Sequence, residues 1–369
     1  MKVPFLDLVS QQAEIADEVL ADWQRLLATS AFIGGEPVSA FEREFGAYIG
    51  SAHTVGVANG TDAIELALRA LEVGLGDEVI IPANTFIATA EAVSRIGAVP
   101  VLVDVDPDQL LIDPEAVAAA ITPRTAAIAP VHLYGQMAPM AEILAIADRH
   151  GLPVVEDNAQ AQGAHSAAGR AGAVGRIAAT SFYPGKNLGA MGDAGAVTTH
   201  DADLAHVVRE LSAHGSSVKY VHERIGLNSR LDAVQAVALS AKLRRLEDWN
   251  ARRRSAAERY ATLLADIDGV VAPRSREGNV DVWHLYVVQV DARDRVLATL
   301  EEAGIGAAIH YPTPVHLSPA YAGLGLGRGA FPVAEAAADR ILSLPMFPHL
   351  TIDQQEQVAG ELRRAVGAG

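Results

Sequence analysis

The sequence predicts an α/β fold: a mixed, mostly parallel sheet covered by helices, followed by a smaller α+β unit. Three observations carry this expectation. From about residue 53 to 200, short β-rich runs alternate with helical patterns, the signature of parallel strands joined by helical crossovers. Turn-forming polar stretches follow several of these runs directly. After Asp268 the rhythm changes to a strong strand, WHLYVVQV, and then a helical DRVLATLEEAG.

In chain order the candidate strands are HTVGVA, EVIIP, VPVLVDV, AAIAPV, LPVVED, IAATSF and GAVTT. They are short and largely apolar, as strands buried on both faces are. Helical patterns between them cover residues 62–71, 88–96 and 139–150. Residues 229–264 read as one or two long helices, rich in Ala, Leu, Arg and Glu and free of proline. The Gly-rich YAGLGLGRGAFP reads as a loop, because its glycines lack the strand-to-helix context of a dinucleotide fingerprint. The expected division is a large unit over residues 1–250 and a small one over 251–369, the latter joined by the N-terminal helix.

Composition narrows the function classes. At 369 residues the chain can bury a large core, and its apolar and charged shares are those of a globular protein. A formal net charge of −16 argues against nucleic acid as a partner, though a local cluster of donors can still bind a phosphate. With no cysteine, disulfides and thiolate metal sites are excluded, and no metal is expected. The amino terminus lacks a basic-then-apolar leader pattern, and no apolar run approaches membrane-spanning length. The expectation is a cytoplasmic protein with no membrane partner.

The chemistry-bearing stretches sit where a parallel sheet collects ligands, just after its strands. NGTD, PANTF, HLYGQ and EDNAQ all occupy such positions. In VANGTDAIELAL, Thr61 stands where a helix N-cap is expected, and Gly60 would let a ligand approach the backbone. Free amides at a helix start favour phosphate, although an ordinary capped helix has the same pattern. In LPVVEDNAQAQGA, Asp157 ends an apolar strand, where a carboxylate wants a cationic partner; a helix cap or a structural ion pair would also satisfy it. Gln160 lies three residues on.

In SFYPGKNLGAMGDAGAV, Lys186 lies between two glycine-bearing turns. A P-loop would need Gly at 180 and Ser or Thr at 187, where Thr and Asn stand. A reductase-type Tyr-x-x-x-Lys pair fails because only two residues separate Tyr183 from Lys186. A solvated turn lysine and a Schiff-base lysine remain open, and the latter would need a depressed pKa. Ser181 could offer a hydroxyl to a phosphate.

Taken together and in order, NGTDAIELAL, PANTFIATAEA, EDNAQAQGA, SFYPGKNLGAMGDAGAV and GLNSRLDAVQA resemble the DegT/DnrJ/EryC1/StrS family of sugar aminotransferases. The resemblance extends from FIGGEPVSAFEREF to HYPTPVHLSPAY. It implies the fold-type I architecture with a seven-stranded, mostly parallel sheet, pyridoxal 5'-phosphate as cofactor with pyridoxamine phosphate as its aminated form, and an obligate homodimer. It implies that Lys186 holds the cofactor covalently and shuttles a proton, that Asp157 partners the pyridine nitrogen and that Gln160 lies beside the ring hydroxyl. Phe86 would stack on the ring. Gly60, Thr61 and Ser181, with Asn228 from the other subunit, would bind the phosphate. One position departs: Asn158 replaces a residue that is small in many relatives, which should adjust hydrogen bonding near the ring.

The implied reaction is ping-pong transamination, with glutamate giving 2-oxoglutarate and a nucleotide-linked keto-sugar accepting the amino group. Gln160 together with the HYPTPVH stretch is more similar to members acting at C3 of a dTDP-3-keto-6-deoxyhexose. The C4 pattern has His at position 160. His310 and Tyr311 are the expected sugar contacts, with Tyr183, Lys219 and Tyr220 as further candidates; alone, His310 reads as a satisfied histidine at a strand end. Competing readings are a C4 or cyclitol aminotransferase, a pyridoxamine-dependent dehydratase and a non-catalytic sensor. Lys186 argues against the dehydratase, whose relatives carry histidine there.

Overall fold

The computed structural model describes residues 2–367. All seven candidate strands form: β1 (His53–Val57), β2 (Glu78–Pro82), β3 (Val99–Val103), β4 (Thr125–Ile128), β5 (Val155–Asp157), β6 (Ile177–Ser181) and β7 (Gly195–Thr199). Two ladders, β3-β2-β4 and β5-β6-β7-β1, account for them. Parallel bridges Ile128–Val154 and Val131–Asp157 join the ladders between β4 and β5. Only β7 runs against the others, pairing antiparallel with β6 and β1. Burial of β2 and β7 along their whole length explains why these strands carry no polar alternation.

Helices Gly60–Ala70, Ile87–Arg95 and Met140–His150 form where the periodicity places them, within two residues at each end. The segment 229–264 is one helix, Ala233–Leu264, about 48 Å long at 1.5 Å per residue. Its first half packs with Phe41, Phe45 and Phe182. Its last turns, through Ala257, Tyr260 and Leu264, enter a second apolar cluster with Tyr286, Val288, Leu300, Leu342 and Val358. That cluster is built on β8 (Tyr286–Val290) and β9 (Ile341–Leu344), which pair antiparallel, and on helices Arg293–Glu302 and Ile352–Gly367.

The amino terminus divides differently from the expectation. Val3 joins the second cluster, paired with Ile305. The helix that follows, Ala16–Thr29, turns Val19 and Leu26 toward Phe41 and the larger body. Its amphipathic pattern could not indicate which apolar surface it covers. YAGLGLGRGAFP starts within a 3-10 turn, Pro319–Leu324, and continues as the expected loop.

Arg253 marks the passage of the long helix between the two clusters. The side chain is buried, and its Nη1 donates to the carbonyls of Trp283 at 3.1 Å and Met346 at 2.9 Å. Burial pulls its guanidinium down to about 9. Arg253→Ala strips these carbonyls of their donor and leaves a cavity, so it should destabilise the fold by about 3 kcal/mol. A fall in the guanidinium-denaturation midpoint of the purified protein checks this.

Candidate active site

The carboxyl ends of β1, β2, β4, β5 and β6 open into one cavity of about 620 Å³. Ten of the thirteen residues singled out from the sequence line it: Gly60, Thr61, Phe86, Asp157, Gln160, Ser181, Tyr183, Lys186, His310 and Tyr311. The other three, Lys219, Tyr220 and Asn228, lie on an exposed segment and do not reach the cavity of their own chain.

One end of the cavity suits an anion. The cap of the helix after β1 is Asn59 rather than Thr61: its Oδ1 accepts from the Asp62 amide at 2.8 Å, and the helix begins at Gly60. Gly60 and Thr61 therefore hold the first two helical positions, whose amides have no intrahelical acceptor. Gly60 has a packing reason beyond ligand access. A Cβ there would lie 2.5 Å from the Ser181 Cβ, so only glycine lets β6 and the helix start close on the same point.

The other end holds a buried carboxylate, Asp157, and a half-buried amine, Lys186. Asp157 accepts from Thr89 Oγ1 at 2.8 Å and from the Ala159 amide at 3.1 Å. Burial nevertheless raises its pKa, against those bonds and the Lys186 charge. Burial pulls Lys186 down to about 8, with Asp157 opposing the shift. A carboxylate short of positive partners and an amine close to neutrality make a site for a flat cationic ring bearing an electrophile.

Lys186 is held by its loop and by the long helix. Its amide bonds the Tyr183 carbonyl at 2.8 Å, and Ala190 N bonds Phe182 O at 2.7 Å. Three polar side chains of Ala233–Leu264, spaced two turns apart on one helix face, then reach the loop. Gln235 accepts from Met191 N at 2.8 Å, Lys242 Nζ donates to Gly189 O at 2.7 Å, and Asn250 Oδ1 accepts from Asn187 Nδ2 at 2.9 Å. Gly189 closes the loop: a Cβ there would lie 2.3 Å from the Pro184 carbonyl oxygen. Its role is backbone packing, whereas Gly185 has ordinary contact room.

Phe86 is half exposed, with its ring 5.3 Å from that of Tyr311. Gln160 accepts from the Tyr134 amide at 2.7 Å and donates to Tyr311 Oη at 3.1 Å. Tyr134 Oη in turn donates to the His310 carbonyl at 2.6 Å. Burial, with the Lys186 charge, pushes His310 down to about 4, while burial raises Tyr311 to about 12. Both are neutral near pH 7. Asn158 is not near the cavity. Neighbouring residues of a strand face opposite ways, so Asp157 turns in while Asn158 donates to the Ala171 carbonyl at 3.2 Å.

The family model described as the DegT/DnrJ/EryC1/StrS aminotransferase family matches residues 13–363. The chain belongs to this family. It is 52% identical over 363 residues to the erythromycin biosynthesis sensory transduction protein EryC1 of Saccharopolyspora erythraea, across 98% of this chain and 99% of that one. It is 47% identical over 362 residues to the dTDP-3-amino-3,4,6-trideoxy-alpha-D-glucose transaminase of Streptomyces venezuelae, across 98% and 96%. A crystal structure of S. venezuelae DesV in complex with a ketimine intermediate matches with a TM-score of 0.96 at 47% identity, covering 98% of each chain.

Several cavity residues of this aminotransferase-family chain escape a reading of its sequence. Thr89, one helical turn beyond Phe86, could have been found from that spacing. Leu133 lies in HLYGQ, a stretch noted only for its position after a strand; its neighbour Tyr134 stands behind the wall and bonds Gln160. His284 is the second residue of the strand-like WHLYVVQV and is masked by it. Arg95 reaches the cavity from a helix end with no ligand signature, and Asp193 lies unremarked within SFYPGKNLGAMGDAGAV.

The Lys186 shift has a measurable sign. The amine is neutral above about pH 8, whereas a solvated lysine stays charged to about 10.4. In cofactor-free protein, the rate at which Lys186 captures pyridoxal phosphate should rise with pH through about 8 and level off. In Asp157→Asn the midpoint should move lower, because the carboxylate favours the ammonium. Stopped-flow absorbance across pH checks both.

Proposed function

We propose that the chain is a pyridoxal-phosphate-dependent aminotransferase that aminates the C3 keto group of a dTDP-linked 3-keto-6-deoxyhexose. The observation that carries this is a single cavity joining buried Asp157 and half-buried Lys186 to free helix-start amides and Ser181. The residues fit the cofactor. Asp157 lacks a second cation that a protonated ring nitrogen would supply, and Gly60, Thr61 and Ser181 present donors to a phosphate. Between them Phe86 offers an apolar face to a flat ring. Bound there, the cofactor supplies an electron sink for a substrate carbanion and a carrier for the amino group.

The chain's own residues do the rest. Asp157, oriented by Thr89 and the Ala159 amide, keeps the ring nitrogen protonated. Lys186 anchors the cofactor and, once freed, carries a proton on Nζ to and from the reacting carbon; an amine titrating near 8 can do both at neutral pH. Gln160 keeps one Nε2 hydrogen for a ring oxygen, since its other contacts are with Tyr134 and Tyr311. His310 and Tyr311 offer neutral polar groups to sugar oxygens, and Tyr183 stands at the rim. The identity with a dTDP-3-amino sugar transaminase supports C3 as the aminated position.

In this reading glutamate donates the amino group and leaves as 2-oxoglutarate. The working unit is a homodimer with shared active sites, in which Asn228, Lys219 and Tyr220 of one subunit complete the cavity of the other. Exposed apolar side chains on their segment, Tyr220 at 81% and Ile225 at 94%, support a covered surface there. We also read residues 1–250 as the cofactor-binding unit and 251–369 as the smaller unit, on the strength of the separate second apolar cluster. The name of the EryC1 relative favours a second reading, a sensor that binds without turnover.

Lys186→Ala should lose both turnover and the absorbance of the covalently held cofactor. Asp157→Asn should retain cofactor but slow amino transfer by roughly two to four orders of magnitude, the scale of losing control of one catalytic proton. With glutamate as donor, turnover is expected on dTDP-3-keto-6-deoxyhexose and not on the 4-keto isomer or an inosose. Product analysis separates these outcomes, and multiple turnovers exclude the sensor. Coupled activity in a mixture of Lys186→Ala and Asn228→Ala subunits checks the shared site.

A further inference from the structure

The residue after the reactive lysine is held more firmly than the lysine itself. Asn187 is buried, and its Nδ2 donates to Asn250 Oδ1 at 2.9 Å and to the Val282 carbonyl at 2.9 Å. Asn250 is fixed in turn by donating its own Nδ2 to the Gln162 carbonyl at 2.9 Å. A backbone carbonyl can only accept, so the Asn187 amide has one possible orientation, with Oδ1 turned away from Val282. That oxygen lies 3.2 Å from Nδ1 of His284. The contact requires a proton on Nδ1, which leaves Nε2 with the lone pair. Burial and the charges of Lys186 and Arg253, with His310 alongside, keep the imidazole neutral, so it carries one proton only.

His284 lines the same cavity as Lys186. Arg253 steadies the main chain of its segment through the Trp283 carbonyl. Hydrogen bonds thus run without a break from the long helix, through Asn250 and Asn187, to a histidine in the cavity wall beside the lysine.

We infer that Asn187 and His284 are positioning residues for Lys186: by donating Nδ1–H to Asn187, His284 locks the residue next to the lysine and so sets the direction in which the lysine amine enters the cavity. This rests on Lys186 being the cofactor's attachment point. The competing account gives His284 a direct role through Nε2, toward substrate or cofactor. The two accounts call for different nitrogens of one ring. Asparagine can mimic the Nδ1 donor of a histidine, and glutamine its Nε2.

The test is the rate at which cofactor-free protein captures pyridoxal phosphate at Lys186, followed by absorbance and located by borohydride trapping. Thermal melting is measured alongside. His284→Asn should capture at least tenfold faster than His284→Gln. Asn187→Ala, which removes the acceptor and leaves the histidine, should be at least tenfold slower than wild type. In the sugar reaction the slow variants should lose kcat, with KM for the sugar within about twofold of wild type. Equal rates for the two His284 variants, a faster Gln than Asn variant, or normal capture by Asn187→Ala overturns the inference. Should His284→Gln not fold, Asn187→Ala decides alone. Wild-type protein that forms no adduct at Lys186 would instead overturn the anchor reading itself.

Discussion

The site depends on two opposite charges in one cavity, a buried Asp157 and a half-buried Lys186. Desolvation penalises the ionised forms of both Asp157 and Lys186, raising the first and pulling the second to about 8. Neither group is fully compensated by the other. Asp157 leans on Thr89 and the Ala159 amide, while Asp157 is the carboxylate that draws Lys186 back up. This imbalance gives the cavity its chemistry, because a carboxylate in want of a cation and a lysine near neutrality are what a cationic, electrophilic ring exploits.

Holding such a pair in place requires rigid support, and the architecture supplies it from two directions. The parallel strands deliver Asn59, Asp157 and Ser181 to one edge, so that anion-binding amides and the acid share an opening. The long helix braces the reactive loop from behind with Gln235, Lys242 and Asn250. Each replaces water at a backbone or amide group that would otherwise be buried unsatisfied. Lys242 does this as a buried amine pulled to about 8 by burial, with the Gly189 carbonyl as its hydrogen-bond acceptor. His310 and Tyr311 add a further wall: Tyr311 packs against the apolar core of the sheet, and the Tyr134 hydroxyl bonds the His310 carbonyl.

Legibility differed by residue. Strand positions were readable because buried parallel strands are short apolar runs with polar turns at their ends, and those turns proved to be the cavity rim. The helix start at Gly60 was misplaced by its cap. Asn59 and Thr61 are both acceptable capping types, and only the extended backbone of Asn59 separates them. Asn158 was expected to act near the ring, but strand alternation sends it to the opposite face. Lys219, Tyr220 and Asn228 lie on a segment that does not meet its own cavity, a fact of tertiary placement that no local pattern carries.

By itself the sequence determined the α/β class, the order of strands and helices, and the motifs whose joint spacing marks the family. These follow from short-range rules: apolar periodicity, turn chemistry, and residue types that recur at set intervals along the chain. Only the tertiary structure decided that Lys186 is a half-buried residue of the cavity wall rather than a solvated turn residue, and which nitrogen of His284 carries the proton. Asn187, Asn250 and His284 are separated by 63 and 34 residues along the chain yet meet within hydrogen-bond reach. Desolvation and hydrogen-bond direction depend on what surrounds a group in space, and that is settled only when distant segments pack.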